Sequence, residues 1–466
     1  MTEYFIDSGP RKMRRNILYL AWPAILRLFL QSVVGMVDVI MVGKIGPSAI
    51  AAVDMGNRFV MVLIGTLMSL TIGATALIAH HVGSGNRKKA NYILWQCLTS
   101  GFMAAVVLAL IGVVFSKSFL QLMMVLMEES DPFVLNEGSV YLKIVFISMI
   151  FGLPTMVINA SLQGIGDMKT PLFIMLITNI TNIIFNYLFI FGIGFFPAMG
   201  VAGAAIGTAL GRMFGLATGL LVLIRGKREL NIDRKSITCK LDWNILRDVL
   251  KIGIPASVEQ FVRQASQIIY TALVAGLGTA AIAANAITMN INSLSFMPGF
   301  GFGMAATTLV GQCLGAKKDE LAQKYAKQTT YFAVALMAFA SVVQYLTTFP
   351  IIRLYTDDPE VVSLAAQALR IFVLYQPLFG IFMVLAGAFR GAGDTKWVMY
   401  FTMIGNWGIR LLCSVFFVFY LDMGLNGFWI AMGVDIVIRV CLITMRFVSG
   451  KWKNVQVLQS KTAESG

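Results

Sequence analysis

Apolar stretches long enough to cross about 30 Å of hydrocarbon recur along this chain, with charges gathered between them. Residues 95–115, 172–191, 332–349 and 397–420 are examples. Backbone groups in lipid must satisfy their hydrogen bonds internally, so such runs predict an all-α polytopic membrane protein. Only 13% of the 466 residues are charged and 58% are hydrophobic, whereas a soluble chain is about a quarter charged. Hydropathy places about twelve spans, near 17–43, 48–82, 90–116, 138–163, 170–192, 200–224, 246–276, 280–314, 325–350, 362–390, 397–420 and 425–447.

The loops alternate in charge. Arg11, Lys12, Arg14 and Arg15 precede the first span; Arg87, Lys88 and Lys89 follow the second, and Lys169 the fourth. Arg225, Lys227, Arg228, Arg234, Lys235 and Lys240 follow the sixth, and Lys317, Lys318 and Lys324 the eighth. Arg390 and Lys396 follow the tenth, and Lys451 and Lys453 the last. The intervening loops carry Glu128, Glu129, Asp131, Asp357, Asp358, Glu360 and Asp422. Positive loops stay in the cytoplasm, so both termini are expected there. The net charge of +14 is read this way, not as a nucleic-acid surface. Cys97, Cys239, Cys313, Cys413 and Cys441 have no CxxC spacing, and the adjacent His80 and His81 point about 100° apart on a helix, so neither set reads as a metal site. No Walker loop, GxSxG or HExxH occurs, which argues against an enzyme or an ATP-driven pump. No cofactor is expected.

The longest polar connection divides the spans six and six. It predicts a first lobe over 1–224, a cytoplasmic linker over 225–245 and a second lobe over 246–466. The halves repeat. Pro23-Ala24 recurs as Pro255-Ala256 and Gly46 as Gly278, both at an offset of 232 (255 − 23; 278 − 46). Gln163-Gly164-Ile165-Gly166-Asp167-Met168-Lys169 recurs as Arg390-Gly391-Ala392-Gly393-Asp394-Thr395-Lys396, where 394 − 167 = 227. Six helices per half is an even number, so the repeat is parallel, two pseudo-symmetric six-helix bundles.

Asp38 is the costly residue of the first span. It lies about five residues from the span's end, roughly 7–8 Å inside. A charge at the centre of a spanning helix costs about 2.5–3.5 kcal/mol, less near the ends. Its mate in the second half is Tyr270 (38 + 232), so the fold itself does not require a carboxylate. Arg27 and Gln31 share a face with Asp38. Asn179, Asn182 and Asn186 share a face of the fifth span, and Thr208 lies among the small residues of the sixth. A carboxylate, amides and a hydroxyl can ligate a small hard cation or hold a protonated acid; the other reading is a structural polar network. Asp54 with Arg58, and Glu259 with Arg263, are i, i+4 ion pairs or additional polar sites. Arg370, Arg410, Asp435 and Arg439 are expected to pair with one another.

Val37-Asp38-Val39-Ile40-Met41-Val42-Gly43, the 163–169 loop, Asn182 to Gly192 with Asn186 inside it, Gly200 to Thr208, and Tyr375-Gln376 followed by Gly387 to Gly391 together resemble the multidrug and toxic compound extrusion (MATE) family, bacterial type. The resemblance covers nearly the whole chain. It implies a V-shaped pair of bundles in a bacterial cytoplasmic membrane, working as a monomer. It implies export of amphipathic, often cationic, compounds against entering Na+ or H+. The family's first-lobe cation site falls on Asp38, Asn182, Asn186 and Thr208, which would also be the Na+ ligands. NorM-type members carry a second acidic site, but here its tenth-helix aspartate place is Phe379 and its seventh-helix glutamate place holds Arg263. Coupling through the first lobe is therefore expected. The alternatives are a lipid-linked oligosaccharide flippase of the same superfamily and a passive channel.

Overall fold

The computed structural model of the protein describes residues 9–126, 131–194, 196–226 and 241–455. Among these the regular structure is helical throughout. Twelve long helices follow in order: α1 (Pro10–Gly43), α2 (Pro47–Gly83), α3 (Arg87–Leu126), α4 (Pro132–Gly164), α5 (Lys169–Phe191), α6 (Gly200–Ile224), α7 (Trp243–Ala275), α8 (Thr279–Gly315), α9 (Asp319–Leu346), α10 (Pro359–Gly391), α11 (Thr395–Tyr420) and α12 (Gly424–Val448). Among the described residues, ten are long and apolar enough to cross a membrane, all but α2 and α7. Helix α7 is diluted by Arg247, Asp248, Lys251, Glu259, Arg263 and three glutamines. Glu128, Glu129, most of the expected linker (227–240) and Cys239 lie outside the described residues.

Local chemistry starts and stops these helices. Asp131 caps α4, its carboxylate accepting from Phe133 N at 2.9 Å, with Pro132 in the first turn. Asp358 does the same for α10 ahead of Pro359. Such pairs suit a helix start because the cap satisfies an orphan N–H and proline has none to lose. Gly192 ends α5 in a left-handed conformation (φ 70°) that glycine adopts without a Cβ clash. Helix α11 is not uniform: Ile404–Arg410 and Phe416–Tyr420 are π-helical turns.

The chain divides into two compact units. The first comprises Leu26–Val82 and Asn86–Leu250; the second comprises Met1–Ile25, Gly83–Gly85 and Lys251–Gly466. Within the first, Thr75 Oγ1 of α2 donates to the Ala160 carbonyl of α4 at 2.9 Å. Within the second, Thr307 Oγ1 of α8 donates to the Gly387 carbonyl of α10, also at 2.9 Å. The partners are related by the sequence offsets, 307 − 75 = 232 and 387 − 160 = 227. The repeat is thus present as the same interhelical bond inside each unit.

Helix α6 carries Gly203, Gly207, Gly211, Gly215 and Gly219 at every fourth position, one face of the helix. That face packs on α5. A Cβ at Gly207 would lie 2.7 Å from Asn186 N, and one at Gly211 would lie 2.7 Å from the Thr178 carbonyl. Backbones approach this closely in lipid only where side chains are absent. The stripe therefore brings the polar face of α5 directly against α6. An apolar core including Val42, Ala52, Met55, Tyr141, Phe146, Ile190 and Val201 closes over the same end of the unit.

Candidate functional site

Asn182 and Asn186 lie one turn apart on α5, both buried. The α6 glycine stripe sets them beside Thr208. Asp38, five residues from the end of α1, completes the group. Asn186 Nδ2 donates to Asp38 Oδ1 at 2.8 Å. Asn182 fits best with its amide nitrogen donating to the same Asp38 oxygen at 3.1 Å and its oxygen facing Thr208 Oγ1 at 3.3 Å. Two amide N–H groups thus hold one carboxylate oxygen. With the Asn182 amide turned over, its nitrogen lies 3.3 Å from Thr208 Oγ1 and 3.4 Å from Asn186 Oδ1. Its oxygen then faces Asp38, an arrangement that needs a proton or a metal ion between the two oxygens. The Thr208 hydroxyl suits this second state, because it donates to the Ala204 carbonyl at 3.0 Å and keeps a lone pair for the amide. The donor set fits a small hard cation or a proton, since every group in it is an oxygen or an amide that can present one.

The other residues singled out in the sequence fall elsewhere. Asn179 does not join the cluster, and its buried Nδ2 has no partner. Gln31 is exposed. The Gln163 amide oxygen, suitably oriented, accepts from Arg27 Nη1 at 2.8 Å. Asp54 and Arg58 form an exposed i, i+4 ion pair at 2.7 Å. Glu259 is paired more fully than expected: Arg263 donates at 2.5 Å, and Arg390 donates at 2.8 Å to each carboxylate oxygen. Offsets of 232 and 227 relate Glu259 to Arg27 and Arg390 to Gln163 (259 − 27; 390 − 163). One position in the fold therefore holds a guanidinium on an amide in one unit and a carboxylate between guanidinium groups in the other. The second half's substitutions were visible in the sequence, but the contact between α1 and the end of α4 was not.

The expected mutual pairing of the four remaining intramembrane charges needs correction. Asp435 and Arg439 do pair, on one face of α12. Arg370 instead lies over the rings of Tyr345 and Phe349, 5.5 and 5.0 Å from their centroids. Arg410 lies over Tyr270 at 4.1 Å and Phe428 at 5.0 Å. Among the described residues neither has a carboxylate within ion-pair distance, although the Asp435 carboxylate lies near enough to act on Arg410 electrostatically. An aromatic face can receive a desolvated guanidinium, an option that counting charges overlooks. Sequence reading also missed Arg212, one turn beyond Thr208, whose Nη1 donates to Ser148 Oγ at 2.6 Å, and Tyr141, whose hydroxyl donates to Asn57 Oδ1 at 3.1 Å. Arg212 carried the same signal as Asp38, a lone charge inside an apolar span.

Twelve long helices among the described residues, in a parallel repeat with a half-buried polar cluster inside one half, define a polytopic transporter of the two-bundle type. A family model described as MatE matches residues 23–188 and 255–416, one segment in each half. The chain belongs to the MATE family. It is 32% identical over 448 residues to the probable multidrug resistance protein NorM of Thermotoga maritima, covering 96% of this chain and 95% of that one. It is 29% identical to the uncharacterized transporter YisQ of Bacillus subtilis, covering 94% of each. Among solved structures, it resembles an outward-facing multidrug resistance MATE family transporter, with a TM-score of 0.87 and 20% identity over 97% of this chain and 98% of that one. It also resembles the Vibrio cholerae MATE transporter VcmN in its bent form, with a TM-score of 0.86 and 21% identity over 95% of this chain and 98% of that one. At those identities the structural likeness speaks for the fold.

Proposed function

We propose that the protein is a secondary active antiporter that exports amphipathic, cationic small molecules in exchange for H+ or Na+. Asp38 is the group that takes up the ion, and Asn182, Asn186 and Thr208 are its partners. The observation that carries this reading is the double amide grip on Asp38, at 2.8 and 3.1 Å, from two consecutive turns of α5. A carboxylate held this way is supported while empty. When a cation arrives, the same amides present oxygens, so the site is satisfied in both states without new protein groups.

The cycle follows from that exchange. The cation enters from outside, where it is abundant, and binds Asp38. The hydrogen bonds linking α1 to α5 are then rearranged, because an amide that was donating to the carboxylate must turn or withdraw. That change in interhelical bonding favours release of the exported compound. Return of the cation to the cytoplasm restores the grip. A ligand shifts such an equilibrium only through its different affinity for the two states, and the turned amide is where that difference arises. The names of the relatives, probable multidrug resistance proteins among them, support the breadth of substrate.

The test is efflux of an amphipathic fluorescent cation from proteoliposomes under imposed pH and Na+ gradients, applied separately. Wild type is expected to respond to at least one gradient. Asp38→Asn is expected to insert and fold but lose gradient-driven efflux. Undiminished coupled efflux by that variant would sink the assignment, and flux indifferent to both gradients in the wild type would identify a passive pathway.

A further inference from the structure

The repeat allows the Asp38 cluster to be looked for in the second unit, and two backbone hydrogen bonds set the register. Met199 N donates to the Phe189 carbonyl at 2.8 Å, and Met423 N donates to the Phe417 carbonyl at 3.0 Å. Thus α6 maps on α12 at 423 − 199 = 224, and the far part of α5 maps on α11 at 417 − 189 = 228. The glycines agree: a Cβ at Gly203 would strike Phe189 and one at Gly427 would strike Phe417. The offset at the start of these helices is 227, from Asp167 and Asp394. The π-helical turn Ile404–Arg410 accounts for the added residue, since its hydrogen bonds span one residue more than those of an α-turn.

In this register Asn182 falls on Arg410 (182 + 228), Asn186 on Ser414 (186 + 228), Thr208 on Met432 (208 + 224) and Asp38 on Tyr270 (38 + 232). Every group of the cluster is exchanged. The Arg410 guanidinium lies 4.1 Å from the centre of the Tyr270 ring, so the mates of Asn182 and Asp38 touch as the originals do. The Tyr270 hydroxyl donates to the Asn406 carbonyl, and it is the ring face that meets the guanidinium. Arg410 is 6% exposed, and its Nε and Nη2 have no hydrogen-bond partner.

We propose that Arg410 is a tethered cation, the second unit's permanent counterpart of the ion that the first unit exchanges. The second unit then has no exchangeable cation site at this place, and each cycle moves cations through Asp38 alone. The proposal rests on the reading of Asp38 as the coupling residue. It adds that Arg410 sets the count, by occupying with a covalently held charge the place where a second ion would otherwise bind.

The test counts exchangeable cations per protein, using radiolabelled Na+ and, in parallel, protons taken up near neutral pH. Wild type is expected to hold one, Asp38→Asn none, and Arg410→Lys, which keeps the tethered charge, one. Tyr270→Asp alone is expected to add none, because the guanidinium neutralises the new carboxylate in place. Tyr270→Asp with Arg410→Gln is expected to add a second cation, retained when Asp38→Asn is combined with it. A cation remaining in Asp38→Asn overturns the proposal, as does a second cation in Tyr270→Asp alone. So does a combined variant that elutes as a folded protein yet gains nothing. Should the combined variant fail to fold, the counts in Asp38→Asn and Arg410→Lys still decide. The two readings fail separately: intact gradient-driven efflux by Asp38→Asn removes the coupling role, whereas lost efflux with a residual bound cation removes only the inference about Arg410.

Discussion

At the scale of single residues, the Asp38 cluster depends as much on an absent side chain as on the polar ones. Gly207 lies beside Asn186, and a methyl group there would meet the Asn186 backbone and amide. Gly207→Ala therefore forces α5 and α6 apart at the turn that presents Asn186 to Asp38. Overpacking of this kind costs about 1–3 kcal/mol, which is a factor of about 5 to 150 if it falls on cation binding. Cation-dependent efflux in proteoliposomes is expected to require correspondingly higher ion concentrations. Gly215→Ala, two turns further along the same stripe, touches Thr178 and not the cluster, and is expected to leave that ion requirement unchanged.

At the scale of elements, two devices hold helix ends in place. The Asp131 carboxylate at the start of α4 is held below its ordinary range, first by the Ser48 hydroxyl and then by the Phe133 N–H. A group depressed in the folded state contributes stability above its unfolded value, about 3.9, and loses it as pH falls through the lowered folded value. The protection of Phe133 N, the slowing of its exchange relative to an unstructured amide at the same pH, is therefore expected to be greatest at neutral pH and to fall on acidification. Asp131→Asn is expected to shallow that dependence. At the other end of the chain, Trp452 is fully buried. It stacks on Phe447 at 5.4 Å, packs against Phe389 at 6.0 Å and donates Nε1–H to the Phe447 carbonyl at 3.0 Å. Trp452→Ala removes both the packing and the bond. Losses for buried tryptophan run at about 3–5 kcal/mol, to be measured as a lower unfolding midpoint in detergent, with α10 and α12 exchanging first.

At the scale of the whole molecule, membership of the MATE family and the half-buried Asp38 cluster lead to the same experiment, efflux under separate pH and Na+ gradients. Much of this was legible in the sequence. Apolar runs fix helices because lipid offers the backbone no other partners. The offsets of 232 and 227 fixed the repeat because equivalent glycines, prolines and loop aspartates answer to the same turns in each half. Asp38, Asn182, Asn186 and Thr208 could be grouped because helical spacing puts the asparagines on one face. Asn179 shares that face, but spacing defines a face and not how far along it a neighbour reaches, and its amide nitrogen makes no bond to the cluster.

The sequence by itself determined the class of protein, the two-fold repeat and the cost of a carboxylate inside an apolar span, because all three follow from which residues lie next to one another along the chain. Only the tertiary structure decided which side chains meet. It drew Arg390 to Glu259, laid Arg410 on Tyr270 and brought α5 against a glycine stripe closely enough for two amides to grip one oxygen of Asp38. The π-helical turn explains why the correspondence of Arg410 to Asn182 was not legible in the sequence. One added residue in α11 shifts the register by 100°, and a repeat read from the loops at a constant offset places Ile409, not Arg410, opposite Asn182.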